Sequence, residues 1–292
     1  MEARTLDFKD NNIQEISLDE LKSTVKEEDY NKKPLMGMYH FDFIQRVADA
    51  VEAAKLKFEI EPIYAAQNKD KSRPGVSVIE MYRDQFGEGS VKSFLMRRIF
   101  SRIIISTLED DQTNTAVAIS YNQMGFQLAF GPNVKICKNQ MILGAERFMS
   151  TYSHDNKMPN PERMIEVLSE WLNNFKEIRK KELETILAFQ GTIVPHHEML
   201  EIIGDMTSKR IRKDNAKDFP GEPSYPLSQS QIGAFTKAYM LEKQKDFEKL
   251  FSVWDVYNFA TNLYKPGSTD FPLLLSSNAN MSQYLMNRYQ LS

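Results

Sequence analysis

Apolar and polar residues change rhythm about halfway along this chain. From Phe41 to Leu56, apolar Phe43, Ile44, Val47, Ala48, Val51 and Ala54 recur at helical spacing. Phe58 to Ala65 alternates and reads as a strand, and Asn68–Gly75 is a turn by composition, with Val76–Met81 as its hairpin partner. The region from Val91 to Leu108 fits helix or strand, although Ile103-Ile104-Ile105 suits a buried strand. Then comes a β-meander. Ala116–Tyr121 and Phe126–Phe130 are separated by Asn122-Gln123-Met124-Gly125, and Gly131-Pro132-Asn133 breaks the run again before Val134–Asn139. Residues 1–35 are polar, with one apolar rhythm from Ile13 to Val25 that suits a short strand or helix.

The second half follows helical periods. Asn160-Pro161-Glu162 is a helix start, with Asn as cap, Pro in the first turn and an acid beside the positive end. Met164, Leu168, Trp171, Phe175 and Ile178 continue the period, so one helix over Pro161–Phe189 is expected, about 40 Å long. Pro195 opens another. Asp218–Pro226 carries three prolines and reads as a loop. Ser228–Gln231 is a capping box and Ser252–Asp255 a looser one, starting helices near 229–250 and 253–264, the latter stopped at Lys265-Pro266-Gly267. The expected class is α+β: an antiparallel meander sheet with flanking helices over residues 1–150, then a mostly helical region over 151–292 packed on it as one unit.

Composition narrows the function classes. With 292 residues, 41% apolar and 26% charged, the chain is an ordinary soluble type with a substantial core. No run of 18 apolar residues offers a membrane span, and the first residues lack a signal-peptide core. One cysteine rules out an internal disulfide framework and a Cys-built zinc site. These features favour the cytoplasm. The net charge of −3, from 37 basic and 40 acidic side chains, leaves nucleic-acid binding to local clusters.

Each candidate for chemistry has a plainer structural explanation. His196-His197-Glu198 invites a metal, but adjacent histidines on a helix diverge by about 100°, and the His-Glu-x-x-His spacing is absent. Cys137 lies in an alternating segment and reads as a small core residue rather than a nucleophile. Glu109-Asp110-Asp111 could hold magnesium, yet acids in a turn are usually solvated. No phosphate-binding glycine loop or serine nucleophile elbow occurs. No catalytic residue, cofactor or metal site is therefore assigned.

The basic clusters and the meander aromatics suggest a nucleic-acid interface. Arg97, Arg98 and Arg102 flank an apolar strand; Lys176, Arg179, Lys180 and Lys181 lie on the long helix; Lys209, Arg210, Arg212, Lys213 and Lys217 form the densest group. Tyr121, Phe126 and Phe130 could stack bases. Against this, aromatics of an alternating strand usually face a core.

At the meander the chain resembles the phage- and plasmid-borne proteins grouped as domain of unknown function 932. The carrying residues are Val134-Lys135-Ile136-Cys137-Lys138-Asn139, ending in Gly144, and Val253-Trp254-Asp255-Val256-Tyr257-Asn258-Phe259-Ala260-Thr261. The family's "S-H-D"-like polar turn is replaced by Glu109–Thr113. The two matches bracket most of residues 40–265. The resemblance implies a mobile-element protein, acting in the host-cell cytoplasm where it is phage-encoded, with no catalytic residues to carry over. Cys137, Asn139 and Gly144 read as structural.

Two functions are expected from this. The first is single-stranded DNA binding without catalysis, such as strand annealing by a homo-oligomer. Arg97, Arg98, Arg102, Lys209, Arg210, Arg212 and Lys213 would hold phosphates, and Tyr121 and Phe126 would stack bases. The alternative is an interaction factor acting on a host or phage protein. It requires an apolar surface left exposed on the helices near 229–250 or 253–264.

Overall fold

In the computed structural model, the described residues are 13–24, 38–66, 98–106, 113–122, 125–134, 148–150, 160–214, 227–263 and 271–291. Among them the sheet strands are β1 (Ile13–Ile16), β2 (Phe58–Ile60), β3 (Ile63–Ala66), β4 (Arg98–Ile105), β5 (Thr113–Asn122), β6 (Gly125–Val134) and β7 (Phe148–Ser150). They form one antiparallel sheet in the order β1-β3-β4-β5-β6-β7, with β2 also on β4. Helices α1 (Leu18–Thr24) and α2 (His40–Ala53) belong to the first half. The second half supplies α3 (Pro161–Asn173), α4 (Phe175–Gly191), α5 (His196–Asp214), α6 (Gln229–Lys245), α7 (Val253–Thr261) and α8 (Phe271–Tyr289). A short ribbon, β8 (Ile193–Val194) with β9 (Phe251–Ser252), ties the helices together. The protein is thus α+β, with a helical C-terminal half.

Period-two alternation divides the sheet residues between two cores. On one face Ile99, Ile103 and Ile105 of β4 join Val117, Ile119 and Tyr121 of β5 and Phe126, Leu128 and Phe130 of β6. Phe43, Ile44, Val47 and Val51 of α2 and Met164, Leu168 and Leu172 of α3 cover them. On the other face lie Tyr64, Phe100, Ala116, Ala118 and Ala129, packed with Phe189, Tyr257, Met281 and Leu285 of the later helices. The register places Ala118 opposite both Arg102 and Ala129, so small side chains line the middle of this face. Helix α8 runs against β4, β5, β6 and β7 there.

The long helix expected over Pro161–Phe189 is two helices. Asn174 adopts φ −101°, ψ 20°, and its side-chain amide donates to the Glu170 carbonyl. The break lets α3 stay on the α2 face while α4 carries Ile186 and Phe189 to the opposite core. At the crossing, Arg179 and Glu182 are buried as a pair 3.6 Å apart, and Thr115 donates to Glu182 at 3.4 Å. The expected strand Phe58–Ala65 is likewise divided, at Glu61-Pro62, into β2 and β3.

Strand β6 continues through Gly131-Pro132-Asn133, where the sequence pattern predicts a break; Gly131 opposes Ala116 and Pro132 opposes Thr115. Among the described residues β7 pairs with Gln127–Ala129, and at Pro132 only β5 neighbours β6, an arrangement that tolerates a missing N–H. Of the expected third meander strand, Val134–Asn139, only Val134 is described, and it is the last residue of β6. The rest of that strand lies outside the described residues, as do the turn at 68–75, its partner at 76–81 and the loop at 218–226. The helix expected to 250 ends at Lys245, and β9 follows.

Capping chemistry is as read from the sequence. Asn160 accepts from the Arg163 N–H, and Ser228 with Gln231 and Ser252 with Asp255 form reciprocal capping boxes.

Candidate functional site

Of the expected nucleic-acid contacts, Arg102, Tyr121 and Phe126 are buried. Arg102 projects from β4 into the interior, only 1% exposed, and its Nη2 pairs with the Glu61 carboxylate. Its Nε and Nη1 have no hydrogen-bond partner among the described residues. Burial pulls the guanidinium's pKa down, and Glu61 and Tyr64 pull it back up; burial also pushes the Glu61 carboxyl up against the pull of Arg102. A guanidinium stays charged in a protein, so this is a buried structural ion pair and not a phosphate contact.

The expected stacking platform is also interior. Tyr121 and Phe126 are direct cross-strand neighbours with ring centroids 4.9 Å apart, and Phe126 packs on Phe43 of α2 at 4.5 Å. Phe130 lies against Trp171 and Phe175. A base could reach none of them without displacing α2 or α3. Sequence alternation marks these aromatics correctly as one face of a strand; the face is the core.

The remaining expected cations lie on several elements or outside the described residues. Arg98 starts β4, and Arg97 lies outside the described residues, as does Lys217. Arg179 is buried at the helix crossing, while Lys176, Lys180 and Lys181 are exposed. Lys209 pairs with Asp205 at 3.2 Å and stands 4.9 Å above the Tyr284 ring. Arg210, Arg212 and Lys213 follow it in the last turns of α5.

Histidines take structural positions. His196 opens α5 with Nδ1 sharing a hydrogen bond with the Tyr239 hydroxyl, its ring stacked 5.8 Å from the tyrosine ring. His197 is exposed. His40 is buried at the start of α2, its Nδ1 accepting from the Phe41 N–H and its ring edge-on to Tyr121 at 5.2 Å. Burial pushes its pKa down to about 3, so it is held neutral. Among the described residues no three His, Cys, Asp or Glu gather as a metal site, and no helix is long and apolar enough to cross a membrane. Cys137, His154 and the Glu109–Asp111 turn lie outside the described residues.

One feature goes beyond what the sequence indicates at residue level. The connection between α6 and β9 leaves Phe247 79% and Leu250 69% exposed. Met240 and Leu241, in the last turns of α6, are also exposed, as are Ile193 of β8, Leu200 of α5 and Leu187 of α4. These segments converge. Ile193 and Val194 pair with Ser252 and Phe251, the Val253 N–H donates to the Thr192 carbonyl, and the His196–Tyr239 bond joins the start of α5 to the end of α6. Ile232, Phe235 and Tyr239 are the buried stripe of α6, and Leu241 falls on the opposite side. That off-stripe leucine, followed by Phe247 and Leu250 among charged residues, was the available signal.

Three of the charged side chains here are bonded to one another. Lys245 and Lys249 both bond Glu242, at 2.5 and 3.0 Å, and these hydrogen bonds hold its carboxyl down at about 2. The Lys243 ammonium donates to the Lys249 carbonyl at 3.1 Å. No family model, no curated protein and no solved structure matches the chain.

Proposed function

We propose that this protein acts by docking another protein through the apolar end of its helical half, around Phe247 and Leu250. The observation that carries this reading is seven large apolar side chains, each 37–79% exposed, on α4, α5, α6, β8 and the α6–β9 connection, segments linked through the β8–β9 ribbon and the His196–Tyr239 bond. Single exposed leucines are ordinary; a contiguous apolar patch beyond a few hundred Å² marks an interaction site. The reading also meets the requirement set from the sequence, an apolar surface left bare near 229–250. The resemblance to mobile-element proteins makes a host or phage protein, in the host cytoplasm, the natural setting. A photoreactive residue at position 247 of the full chain tests it. Covalent protein adducts are expected from 247 and not from the exposed position of Lys176; equal or absent labelling at both eliminates the reading.

Single-stranded DNA binding is the second reading, supported by four cations, Lys209, Arg210, Arg212 and Lys213, in the last turns of one helix. Replacing Arg210, Arg212 and Lys213 by alanine should flatten the log–log salt dependence of oligonucleotide binding by roughly 0.7 for each lost phosphate contact. An unchanged slope, or no binding by the wild type at tens of micromolar in low salt, removes this reading.

A further inference from the structure

We infer that helix α8 is a displaceable cover. It opens from the sheet as a unit while the strands and α2 stay folded, and the opening uncovers a polar strip formed by Arg102, Ser120 and Gln127.

The two sides of β5 and β6 differ sharply in what they offer a helix. Toward α2 and α3 they present Val117, Ile119, Phe126 and Leu128. At the alternate positions, on the side packed by α8, neither strand carries an apolar side chain larger than alanine. Strand β5 supplies Ala116, Ala118 and Ser120 there, and β6 supplies Gln127, Ala129 and Gly131. Such small side chains bury little apolar area when the helix docks.

Polar groups are buried on this side without compensation. Ser120 stands opposite Gln127, and Arg102, opposite Ala118, is a diagonal neighbour of Ser120. Each of the three is at most 6% exposed. The Ser120 hydroxyl, the Gln127 side-chain carbonyl and the Arg102 Nε and Nη1 have no hydrogen-bond partner among the described residues. The helix adds the same deficit. Its buried stripe from Leu275 to Leu285 includes Asn278 and Ser282, about one turn apart. The Asn278 Oδ1 is unpartnered among the described residues, and the Ser282 hydroxyl donates to the Met286 sulfur, a weak acceptor, at 3.8 Å.

Docking α8 takes water from these groups and returns no good hydrogen bond, so each of them opposes the closed state. Opening restores their hydration. Against this stand Leu275, Met281 and Leu285, packed with Phe189 and Tyr257, and two bonds to α5: Arg288 to Glu201 at 2.8 Å and the Tyr289 hydroxyl to Glu198 at 3.0 Å. The Arg288–Glu201 pair is partly exposed and contributes little. Helix α2 meets no comparable opposition, because it buries Phe43, Ile44, Val47 and Val51 on large apolar side chains. Sub-global opening starts from elements whose docking gains least.

Amide hydrogen exchange of the purified full chain in a urea series tests this. Amides from Asn278 to Leu285 are expected to share one opening, about tenfold or more populated than the opening that exposes Val117–Ile119 and Leu128–Phe130. Its urea dependence should be weaker than that of global unfolding. Ser120→Ala and Gln127→Met each remove an unmatched group with little gain in volume, and each should slow exchange in α8 about fivefold or more. Ser120→Ala keeps the test decisive if Gln127→Met does not fold. Exchange of α8 only together with the strands, with the full urea dependence, overturns the inference. So do unrelated residue-by-residue rates with no urea dependence, which mean fraying rather than the opening of a unit. Folded variants in which α8 exchanges as fast as in the wild type, or faster, overturn it as well.

Discussion

Arg102 and Glu61 form an ion pair inside the sheet layer, reached from β4 and from the two-residue break between β2 and β3. The guanidinium stands across from Ala118, on the face covered by the C-terminal helices. A buried pair is costly to assemble and more costly to halve. Glu61→Ala should therefore destabilise the protein by about 3 kcal/mol or more, because it strands a buried cation. The double change Arg102→Met, Glu61→Leu should recover most of that loss. Urea denaturation of the three proteins measures both, and a Glu61→Ala variant as stable as the wild type would show the pair to be dispensable.

His40 gives the fold a pH dependence of definite sign. Its folded pKa, about 3, lies below the ordinary histidine value of 6.5, so the neutral ring is favoured in the fold. This contribution is intact above pH 6.5 and is lost progressively as pH falls toward 3. Between pH 6.5 and 5 the wild type should lose about 2 kcal/mol more than His40→Phe, at about 1.4 kcal/mol per unit. Denaturant midpoints of both proteins at the two pH values decide it; parallel losses would refute the assignment.

Ser252 caps α7, accepting from the Asp255 N–H while its own N–H and hydroxyl donate to the Asp255 carboxylate, each at 2.8 Å. That helix carries Val253, Val256, Tyr257 and Ala260 into the core. Ser252→Ala should cost about 1 kcal/mol, with Ser252→Asp restoring part of it. Thermal melts of the pair provide the check.

Ala118 is fully buried between Arg102 and Ala129 beneath the later helices. Ala118→Leu should overpack this layer and cost about 2 kcal/mol, whereas Ala118→Gly, which removes only a methyl group, should cost less. Urea midpoints of the two variants test this. If leucine is accommodated without loss, the helices do not press on the strands as closely as this packing requires.

Much of this fold was legible because local chemistry and tertiary demand agree. Asn160, Ser228 and Ser252 announce their helices by side chains that bond within three residues, and β5 with β6 alternate because both faces are buried in different cores. The break at Asn174 is hidden because the apolar period runs on from Trp171 to Phe175 and Ile178, although the helices it joins serve opposite faces. Tyr121, Phe126 and Arg102 mislead for a related reason. Alternation says which side chains share a face, not whether the face meets water, and Arg102 gains its burial from Glu61, 41 residues away in sequence. The exposed apolar end was partly legible: the helices were expected, while the convergence of α4, α5, α6 and β8 is a property of the tertiary fold.

The order in which the sheet is covered has a consequence for synthesis. All seven described strands of the sheet have emerged by Ser150, and α2 can begin to cover one face at once. The other face, with Ala116, Ala118 and Ala129, is fully closed only with α8, which begins at Phe271. At about 5–20 residues per second, the ribosome leaves that face incompletely covered for on the order of ten seconds. During this interval a nascent chain has a small-residue sheet surface open to chaperones and to other nascent chains. Slow translation of the last hundred residues should raise aggregation more than an equal delay before Thr113.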